Sequence, residues 1–321
     1  MRIAVLDDYQ DAFRRSDGFG RLGEHEVVVF TDTVHDPVAL ARRLDGFEAL
    51  VLIQQRSALP ASVVNGCPAL RFVSQTGRNT SHLDLPACAA RGVTVSAGGA
   101  GDPHAVAEFA WALILAALRH IPEEVASLKA GRWQSTLGTQ LRGKTLGVYA
   151  FGRLGSIVAG YGRAFGMDVV CLGRERSAEA ARAAGFAVAD SREAFFAGCD
   201  VISLHLPLND GTRGIVTARD LATMKPTALL ANTSRAPVIE AGALAEALRH
   251  GRPGRAAVDV FELEPVLGAA DPLLHLPNAL CTPHLGYVAA EIYAALFGAA
   301  VDALVAFAEG RPINVVTADT P

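Results

Sequence analysis

Short apolar runs alternate with helical patterns along most of the chain, and this alternation restricts the possible folds more than any other feature. A first series comprises RIAVLD, VVVF, ALVLI, RFVSQT and VTVSA. Two helical stretches interrupt it after Gly101, the second opened by Pro122, and a second series follows with TLGVYA, DVVCL, VISLHLPL, TALLANTS, AAVDVF and ALCTPH. Strands that alternate with helices predict parallel sheets, and near-continuous apolar strands indicate burial on both faces. The sequence therefore predicts an α/β fold with two sheets, the second one longer.

Length and composition exclude several classes of protein. The 321 residues suffice for two domains, and the formal net charge of -4 provides no basic field for nucleic acid or an anionic membrane. The five cysteines are widely spaced and never form C-x-x-C, so we predict neither disulfides nor a metal site. The start MRIAVLDD lacks the features of an export signal, and the apolar stretch 109–121 is too short to span a bilayer. We expect a cytoplasmic protein without nucleic-acid or membrane partners.

Residues 147–177, GVYAFGRLGSIVAGYGRAFGMDVVCLGRERS, predict a strand, a glycine turn, a helix and a second strand. This arrangement binds the pyrophosphate of a dinucleotide when the turn reads G-x-G-x-x-G. Here Gly152 and Gly155 are present, and they would allow close approach of phosphates and close packing of the helix. Ala150 replaces the first glycine, and its methyl group is tolerable if φ stays negative there.

The residues at the end of the second strand within 147–177 indicate whether the cofactor is NAD(H) or NADP(H). An acidic residue there would bind the ribose 2′-hydroxyl, but this chain has Gly173. Arg174, Arg176 and Ser177 could instead supply cations and a hydroxyl to a 2′-phosphate. We therefore favour NADP(H) slightly. The alternative is that both arginines are solvated and that Glu175 holds NAD(H).

Four polar residues of the second series follow strand ends: Arg235, Asp259, Glu264 and His284. Ligands of open α/β sheets bind at the carboxyl ends of the strands, so we expect these side chains to converge. Arg235 suits a substrate carboxylate, His284 suits proton donation to a carbonyl oxygen, and Glu264 would keep His284 charged and oriented. Asp259 follows a buried run and needs a partner, which is either a backbone amide or the nicotinamide carboxamide.

The chain resembles the D-isomer-specific 2-hydroxyacid dehydrogenases, a family that includes glyoxylate/hydroxypyruvate reductases and D-3-phosphoglycerate dehydrogenases. The motifs that carry the resemblance span nearly the whole chain: QTGRNTSHLDLPACAARGVTV, VAEFAWALILAALR, LRGKTLGVYAFGRLGSIVA, HLPLNDGTRGIV, MKPTALLANTSRAPVIE, AAVDVFELEP and NALCTPHLG. It implies two doubly wound parallel-sheet domains. A flavodoxin-like substrate domain would comprise residues 1–100 and 288–321, and a Rossmann NAD(P)-binding domain would be inserted at 101–287. It also implies a homodimer that pairs through the inserted domains.

The resemblance also implies roles for individual residues. Arg235, Glu264 and His284 match the catalytic residues, and Gly77, Arg78 and Asn79 match a loop that binds the substrate carboxylate. The implied cofactor contacts are Gly152, Arg153, Leu154, Gly155, His205, Pro207, Thr212, Thr233, Asp259 and Gly286. Departures from the family pattern are Ala150, Gly173 and Ala236, which replaces a glycine that often follows the catalytic arginine.

The sequence indicates the type of reaction more clearly than the identity of the substrate. Arg56 follows the ALVLI strand and could bind substrate, although it could equally make a structural pair. A phosphorylated substrate would need several cations together, so we prefer a small unphosphorylated 2-oxo acid such as glyoxylate or hydroxypyruvate. Two alternatives stay open: an activity like that of D-3-phosphoglycerate dehydrogenase, and a non-catalytic dinucleotide-sensing protein resembling the corepressors of this fold.

Overall fold

The structure, a computed structural model, describes residues 1–99 and 101–318. Its contacts divide the chain into two compact units. We call Met1–Gly101 with Val288–Pro321 the split unit, and Asp102–Tyr287 the inserted unit. The sequence places these boundaries after residues 100 and 287, and what each unit binds stays a prediction.

Parallel sheets organise both units, as predicted. The strands of the described residues are β1 (Arg2–Val5), β2 (Glu26–Val29), β3 (Ala49–Leu52), β4 (Phe72–Thr76), β5 (Thr94–Gly98), β6 (Thr145–Tyr149), β7 (Asp168–Leu172), β8 (Ala187–Val188), β9 (Val201–Leu204), β10 (Leu229–Asn232), β11 (Arg255–Val258), β12 (Ala279–Cys281) and β13 (Val315–Val316). The α-helices are α1 (Pro37–Arg43), α2 (Ala61–Gly66), α3 (Leu85–Ala90), α4 (Pro103–Leu118), α5 (Ile121–Lys129), α6 (Arg153–Ala164), α7 (Glu175–Ala183), α8 (Arg192–Gly198), α9 (Ala218–Thr223), α10 (Ala243–Arg249) and α11 (Ala290–Ala308).

Aspartates fix the start of three of these helices. The side chains of Asp36, Asp84 and Asp102 each accept a hydrogen bond from a backbone N–H in the first turn of α1, α3 and α4. Each helix also has proline at its first or second position, where a missing N–H costs nothing. Such a cap contributes about 1 kcal/mol to stability.

The split unit contains a six-stranded sheet in the order β13-β5-β4-β3-β1-β2. The first five strands of the chain pair in parallel, and the two-residue β13 pairs with β5 antiparallel, which the sequence did not predict. Helix α11 packs on β4 and β5 and ends before Gly310, whose φ of 75° terminates it. This helix is long and apolar enough to cross a membrane by length and composition, yet eight of its residues are buried in the unit.

The inserted unit contains a seven-stranded parallel sheet in the order β12-β11-β10-β9-β6-β7-β8. The chain runs outward from β6 to β8 and then returns to the other side of β6 with β9. The carboxyl ends of β6 and β9 therefore form the switch point where open α/β sheets bind ligands. Helix α4 covers β10 and β11, and buried Trp111 donates its ring N–H to the carbonyl of Val158 at 3.2 Å. The predicted α/β class with two doubly wound sheets is confirmed.

Candidate active site

The glycine turn, residues 150–155, joins β6 to α6 at the switch point. A Cβ added to Gly155 would overlap the carbonyl oxygen of Ala150, so only glycine allows the helix to pack this close to the strand. A Cβ added to Gly152 would meet no atom within 4 Å and would project into open space. The turn therefore presents bare backbone at the amino terminus of α6, which is a suitable environment for a phosphate.

Ala150 does not meet the condition that the sequence analysis set for tolerating its methyl group. Its φ is 75°, not negative, so this alanine adopts the left-handed conformation that glycine normally occupies. The cause is the geometry on either side of it. The N–H of Ala150 still pairs with the carbonyl of Leu172 at 2.7 Å, as a continuation of β6, and the helix begins only three residues later at Arg153. The backbone therefore has to turn sharply at Ala150 to leave the strand and enter the helix.

We expect Ala150→Gly to raise the free energy of unfolding of the inserted unit by about 0.5–1 kcal/mol. Left-handed geometry costs a residue with a Cβ about 1–2 kcal/mol, and the greater freedom of glycine in the unfolded chain offsets part of that gain. Thermal unfolding of the ligand-free protein measures the change. Ala180→Gly, at an exposed position within α7, is the control and should be destabilising, since there the residue is helical. A lower melting temperature for Ala150→Gly would contradict the expectation.

Two exposed arginines lie at the start of α7, next to the carboxyl end of β7. The Arg174 guanidinium lies 3.3 Å from the carbonyl oxygen of Gly211, a residue of the loop after β9, and Arg176 is exposed in the first turn. Glu175, the alternative ribose ligand, lies 4.0 Å from Arg182 further along the helix. The Ser177 hydroxyl points to the glycine turn and accepts the N–H of Phe151 at 2.6 Å. Both cations are thus accessible beside the turn.

Two buried polar atoms without a hydrogen-bond partner follow β9 and β10. They are Nδ1 of His205 and the hydroxyl of Thr233. Burial lowers the pKa of His205 to about 4, so its ring is neutral at ordinary pH, and its other nitrogen pairs with the Ser203 hydroxyl at 2.9 Å. Unpaired buried groups are rare and call for a partner. Together with the bare turn, they fit a polar ligand such as a dinucleotide at this edge of the sheet.

Pro207 and Thr212, which the resemblance assigns to the cofactor, brace the loop after β9. The Thr212 hydroxyl donates to the carbonyl of Pro207 at 2.6 Å and accepts the N–H of Asn209 at 2.9 Å. Thr212 is buried and Pro207 is exposed. The threonine side chain therefore shapes the loop, and any cofactor contact of this segment would come from the exposed residues and the backbone.

Arg235 lies at the end of a short turn after β10. Buried Asn232 braces this turn, since its oxygen accepts the N–H and hydroxyl of Ser234 at 3.0 and 2.8 Å. Its nitrogen donates to the carbonyl of Arg235 at 3.1 Å. The guanidinium of Arg235 donates to the Ser234 carbonyl at 2.7 Å and is partly buried. The sequence did not single out Asn232, although a polar residue ending an otherwise apolar strand was the available signal.

Asp259 finds its partners within the protein. One carboxylate oxygen accepts the Thr282 hydroxyl at 2.6 Å and the Leu285 N–H at 2.8 Å, and the other accepts the Gly286 N–H at 2.9 Å. Of the two partners considered, the structure therefore shows backbone amides. Burial raises the pKa of Asp259, and these three hydrogen bonds oppose the shift. A Cβ on Gly286 would lie 3.3 Å from the carboxylate, so glycine suits this close approach.

Glu264 and His284, twenty residues apart, are in direct contact. Nδ1 of His284 lies 2.6 Å from one carboxylate oxygen of Glu264, and the other oxygen accepts the Phe261 N–H at 2.8 Å. His284 has a φ of 51°, and its ring makes a T-shaped contact with the Tyr287 ring at a centroid distance of 5.4 Å. The carboxylate thus leaves the other ring nitrogen, Nε2, as the one that can exchange a proton with substrate. Arg235, Asp259 and His284 follow the adjacent strands β10, β11 and β12.

We expect Glu264→Gln to lower both directions of a dehydrogenase reaction at least about a hundredfold. The Phe261 N–H fixes the glutamine oxygen, which turns the amide NH₂ towards Nδ1 of His284 and imposes the wrong tautomer on the ring. Steady-state kcat for oxidation and reduction measures the loss. Glu262→Gln, on an exposed neighbour, is the control and should change kcat less than about twofold. Wild-type rates in Glu264→Gln would remove Glu264 from this role.

In the split unit, Arg56 makes structural contacts. Its guanidinium donates to the carbonyl of Asp7 at 2.6 Å and to the Tyr293 hydroxyl at 2.8 Å. It also stacks over the Tyr9 ring at 4.6 Å. Arg56 therefore ties the loop after β1 to α11. This geometry supports the structural reading of Arg56 that the sequence left open.

The segment Gly77–Asn79 follows β4 of the same sheet. Gly77 has a φ of 81°, and its N–H donates to the carbonyl of Gly98 at 2.6 Å. A Cβ at Gly77 would lie 3.2 Å from the amide of Gln54, so the backbone passes close to that side chain. Arg78 and Asn79 are exposed, and the Asn79 side chain accepts the N–H of Ser81 at 3.0 Å. The loop presents one cation and a sharply turned backbone.

Comparison with known proteins identifies the family. Residues 111–286 match the family model described as "D-isomer specific 2-hydroxyacid dehydrogenase, NAD binding domain". The glyoxylate reductase of Aeropyrum pernix is 37% identical over 80% of this chain and 79% of its own.

Two solved structures resemble the whole chain. An oxidoreductase of Ralstonia solanacearum, described as a D-3-phosphoglycerate dehydrogenase, is 49% identical with a TM-score of 0.93, covering 98% of this chain and 96% of its own. The phosphoglycerate oxidoreductase of Vibrio cholerae O395 is 47% identical with a TM-score of 0.93, covering 97% and 99%. The chain therefore belongs to the D-isomer specific 2-hydroxyacid dehydrogenases, oxidoreductases that act on CH–OH groups, and carries their NAD-binding domain.

Proposed function

We propose that this enzyme interconverts a small 2-oxo acid and its D-2-hydroxy acid, with a substrate like glyoxylate or hydroxypyruvate. The observation that carries the proposal is the contact of 2.6 Å between His284 and Glu264, which follow β12 and β11, while Arg235 follows β10 of the same sheet. An imidazole held by a carboxylate is suited to proton transfer, and a guanidinium is suited to a carboxylate. These are the two protein groups that reduction of a 2-oxo acid requires.

The proposed roles follow from these side chains. Arg235 binds the substrate carboxylate and polarises the ketone. His284 donates a proton from Nε2 to the carbonyl oxygen during reduction and accepts it during oxidation, and Glu264 holds the ring in the tautomer that permits both. The glycine turn would hold the nicotinamide cofactor, which would supply the hydride in reduction and accept it in oxidation. Asp259 holds the backbone of residues 285 and 286 through its hydrogen bonds and thereby fixes the segment that carries His284.

For the cofactor, NADP(H) is the preferred form and NAD(H) the alternative. The preference is supported by the exposed Arg174 and Arg176 at the end of β7, by the absence of an acid at position 173, and by the contact of Glu175 with Arg182. A 2′-phosphate gains charge-assisted hydrogen bonds from such cations. Dissociation constants for NADPH and NADH, measured by fluorescence at one ionic strength, test this preference. Equal or tighter NADH binding would reverse it.

The choice of substrate is supported by the cations of two loops of the split unit, the loop after β3 with Arg56 and the loop after β4 with Arg78. Arg56 is occupied by structural contacts, which leaves Arg78 as the exposed cation of the loop after β4. A phosphorylated substrate is the second candidate, because the two similar solved structures carry phosphoglycerate names. Oxidation of NAD(P)H with glyoxylate, hydroxypyruvate, pyruvate and 3-phosphohydroxypyruvate separates the two. The highest kcat/KM with the phosphorylated acid would overturn the preference.

The same assay tests catalysis itself. A protein that binds NADPH or NADH tightly but turns over none of these acids would be a dinucleotide sensor of the corepressor type, and the enzymatic proposal would fail. Turnover by the wild type that is lost in His284→Ala would support the enzymatic proposal.

A homodimer that pairs through the inserted units also stays a proposal. It is supported by apolar side chains on α5 and the segment after it, where Leu128, Trp133 and Leu137 are 58%, 77% and 95% exposed. Exposed apolar groups of this size commonly mark contacts between subunits. Sedimentation equilibrium gives the mass in solution, and a monomer at micromolar concentration would contradict the proposal. A cytoplasmic location stays a prediction.

A further inference from the structure

The peptide group between Ala150 and Phe151 is fixed from two sides. Its carbonyl oxygen occupies the space where a Cβ of Gly155 would lie, so it packs against α6. Its N–H donates to the Ser177 hydroxyl at 2.6 Å. Ser177 itself is held in the first turn of α7, where its N–H donates to the carbonyl of Arg174 at 2.8 Å. One side chain on α7 therefore determines how the glycine turn leaves β6.

The same side chain explains why residue 173 is glycine. A Cβ added to Gly173 would lie 2.6 Å from the Cβ of Ser177 and would overlap its hydroxyl oxygen. Real Cβ atoms do not approach other atoms this closely, and one of the two residues would have to move. Gly173 is not among the residues with positive φ, so backbone conformation does not require a glycine here.

We infer that Ser177 is the positioning residue of the glycine turn, and that Gly173 is present because Ser177 occupies the space its side chain would need. An acidic residue at 173 and a serine at 177 are thus alternatives. The inserted unit lacks an acidic residue at 173 because the Ser177 hydroxyl, which braces the turn, occupies the space that the acidic side chain would need. The inference rests on the proposal that the cofactor binds at this turn.

Binding of the cofactor tests the inference through substitutions at 177. Ser177→Ala should weaken both NADPH and NADH about tenfold, which is the loss expected for one hydrogen bond to a fixed backbone group. Ser177→Thr, which keeps the hydroxyl, should restore binding to within about twofold. If Ser177 positions the turn, both cofactors should lose affinity equally. If Ser177 instead contacted the 2′-phosphate, only NADPH would bind more weakly.

Substitutions at 173 test the steric coupling. Gly173→Ala should itself weaken binding about tenfold, because it displaces the Ser177 hydroxyl. In Ser177→Gly, where the space is vacated, adding Gly173→Ala should cause no further loss. Additive losses would show that the two positions act independently and would overturn the inference.

Hydrogen exchange of the Phe151 amide in the ligand-free protein gives a measurement independent of binding and activity. Ser177→Ala should accelerate this exchange about tenfold. Ser156→Ala is the matched control, because the Ser156 hydroxyl makes only a local bond to the Arg153 carbonyl at 3.1 Å within α6. It should leave exchange and binding unchanged.

The outcomes separate this inference from the proposed function. A wild-type protein that binds neither NADPH nor NADH would contradict the cofactor site itself, and the inference with it. A wild-type protein that binds cofactor, with unchanged dissociation constants and unchanged Phe151 exchange in Ser177→Ala, would overturn the inference alone.

Discussion

Replacement of His284 by alanine should lower kcat for 2-oxo acid reduction at least about a hundredfold, which is the usual contribution of a positioned acid. The loss follows from the geometry: Glu264 holds Nδ1 at 2.6 Å, so Nε2 is the only ring nitrogen that can serve the substrate. The glycine turn lies at the other end of this half of the sheet, on β6. The dissociation constant for NADPH, measured by fluorescence, should therefore change less than about threefold.

A second variant at this position distinguishes loss of the proton donor from a loss of folding. His284 has a φ of 51°, a conformation that alanine tolerates poorly and asparagine tolerates well. His284→Asn should therefore melt close to the wild type and still lose at least about a hundredfold in kcat. His250→Ala, on an exposed histidine at the end of α10, is the control and should retain full activity. Turnover near the wild-type rate in His284→Asn would refute the assignment of the proton donor.

The sequence predicts the sheets well because their strands are long apolar runs. Fully buried strands such as β3, β9 and β10 are recognisable as near-continuous apolar runs, and the order of helices and strands implies parallel pairing. The two strands it missed, β8 and β13, contain two residues each. No periodicity exists over two residues, so only pairing with a neighbouring strand defines them.

The active site was predictable only as a set of strand ends. Position after a strand identifies Arg235, Asp259, Glu264 and His284, and their chemistry predicts that Glu264 supports His284. The sequence does not give the loop conformation that brings these two side chains to 2.6 Å. Braces such as Asn232 and Thr282 act through hydrogen bonds that depend on loop conformation. Ala150 shows that a backbone conformation can also escape prediction. The sequence gives the residue, but its positive φ follows from strand pairing with Leu172 and from the start of α6.

Arg235→Lys should lower kcat/KM for the 2-oxo acid at least about a hundredfold, although the positive charge is kept. A guanidinium forms two parallel hydrogen bonds to a carboxylate, whereas an ammonium group is a single point of charge. The wild-type side chain is also anchored, since one nitrogen donates to the Ser234 carbonyl at 2.7 Å and Asn232 braces the turn. A lysine would lack this anchor. Most of the loss should appear as a higher KM, with NADPH binding unchanged.

Chemical rescue makes the assignment of Arg235 testable without relying on the lysine variant. Arg235→Ala should lose at least as much activity as Arg235→Lys, and added guanidinium ion should restore at least about tenfold, because it supplies the missing planar donor. Ammonium at the same ionic strength should restore less. Arg219→Lys, at an exposed position on α9, controls for the general effect of the substitution and should keep wild-type kcat/KM. If guanidinium and ammonium rescue Arg235→Ala equally, charge alone is needed at this position, and the paired contact with the substrate carboxylate is wrong.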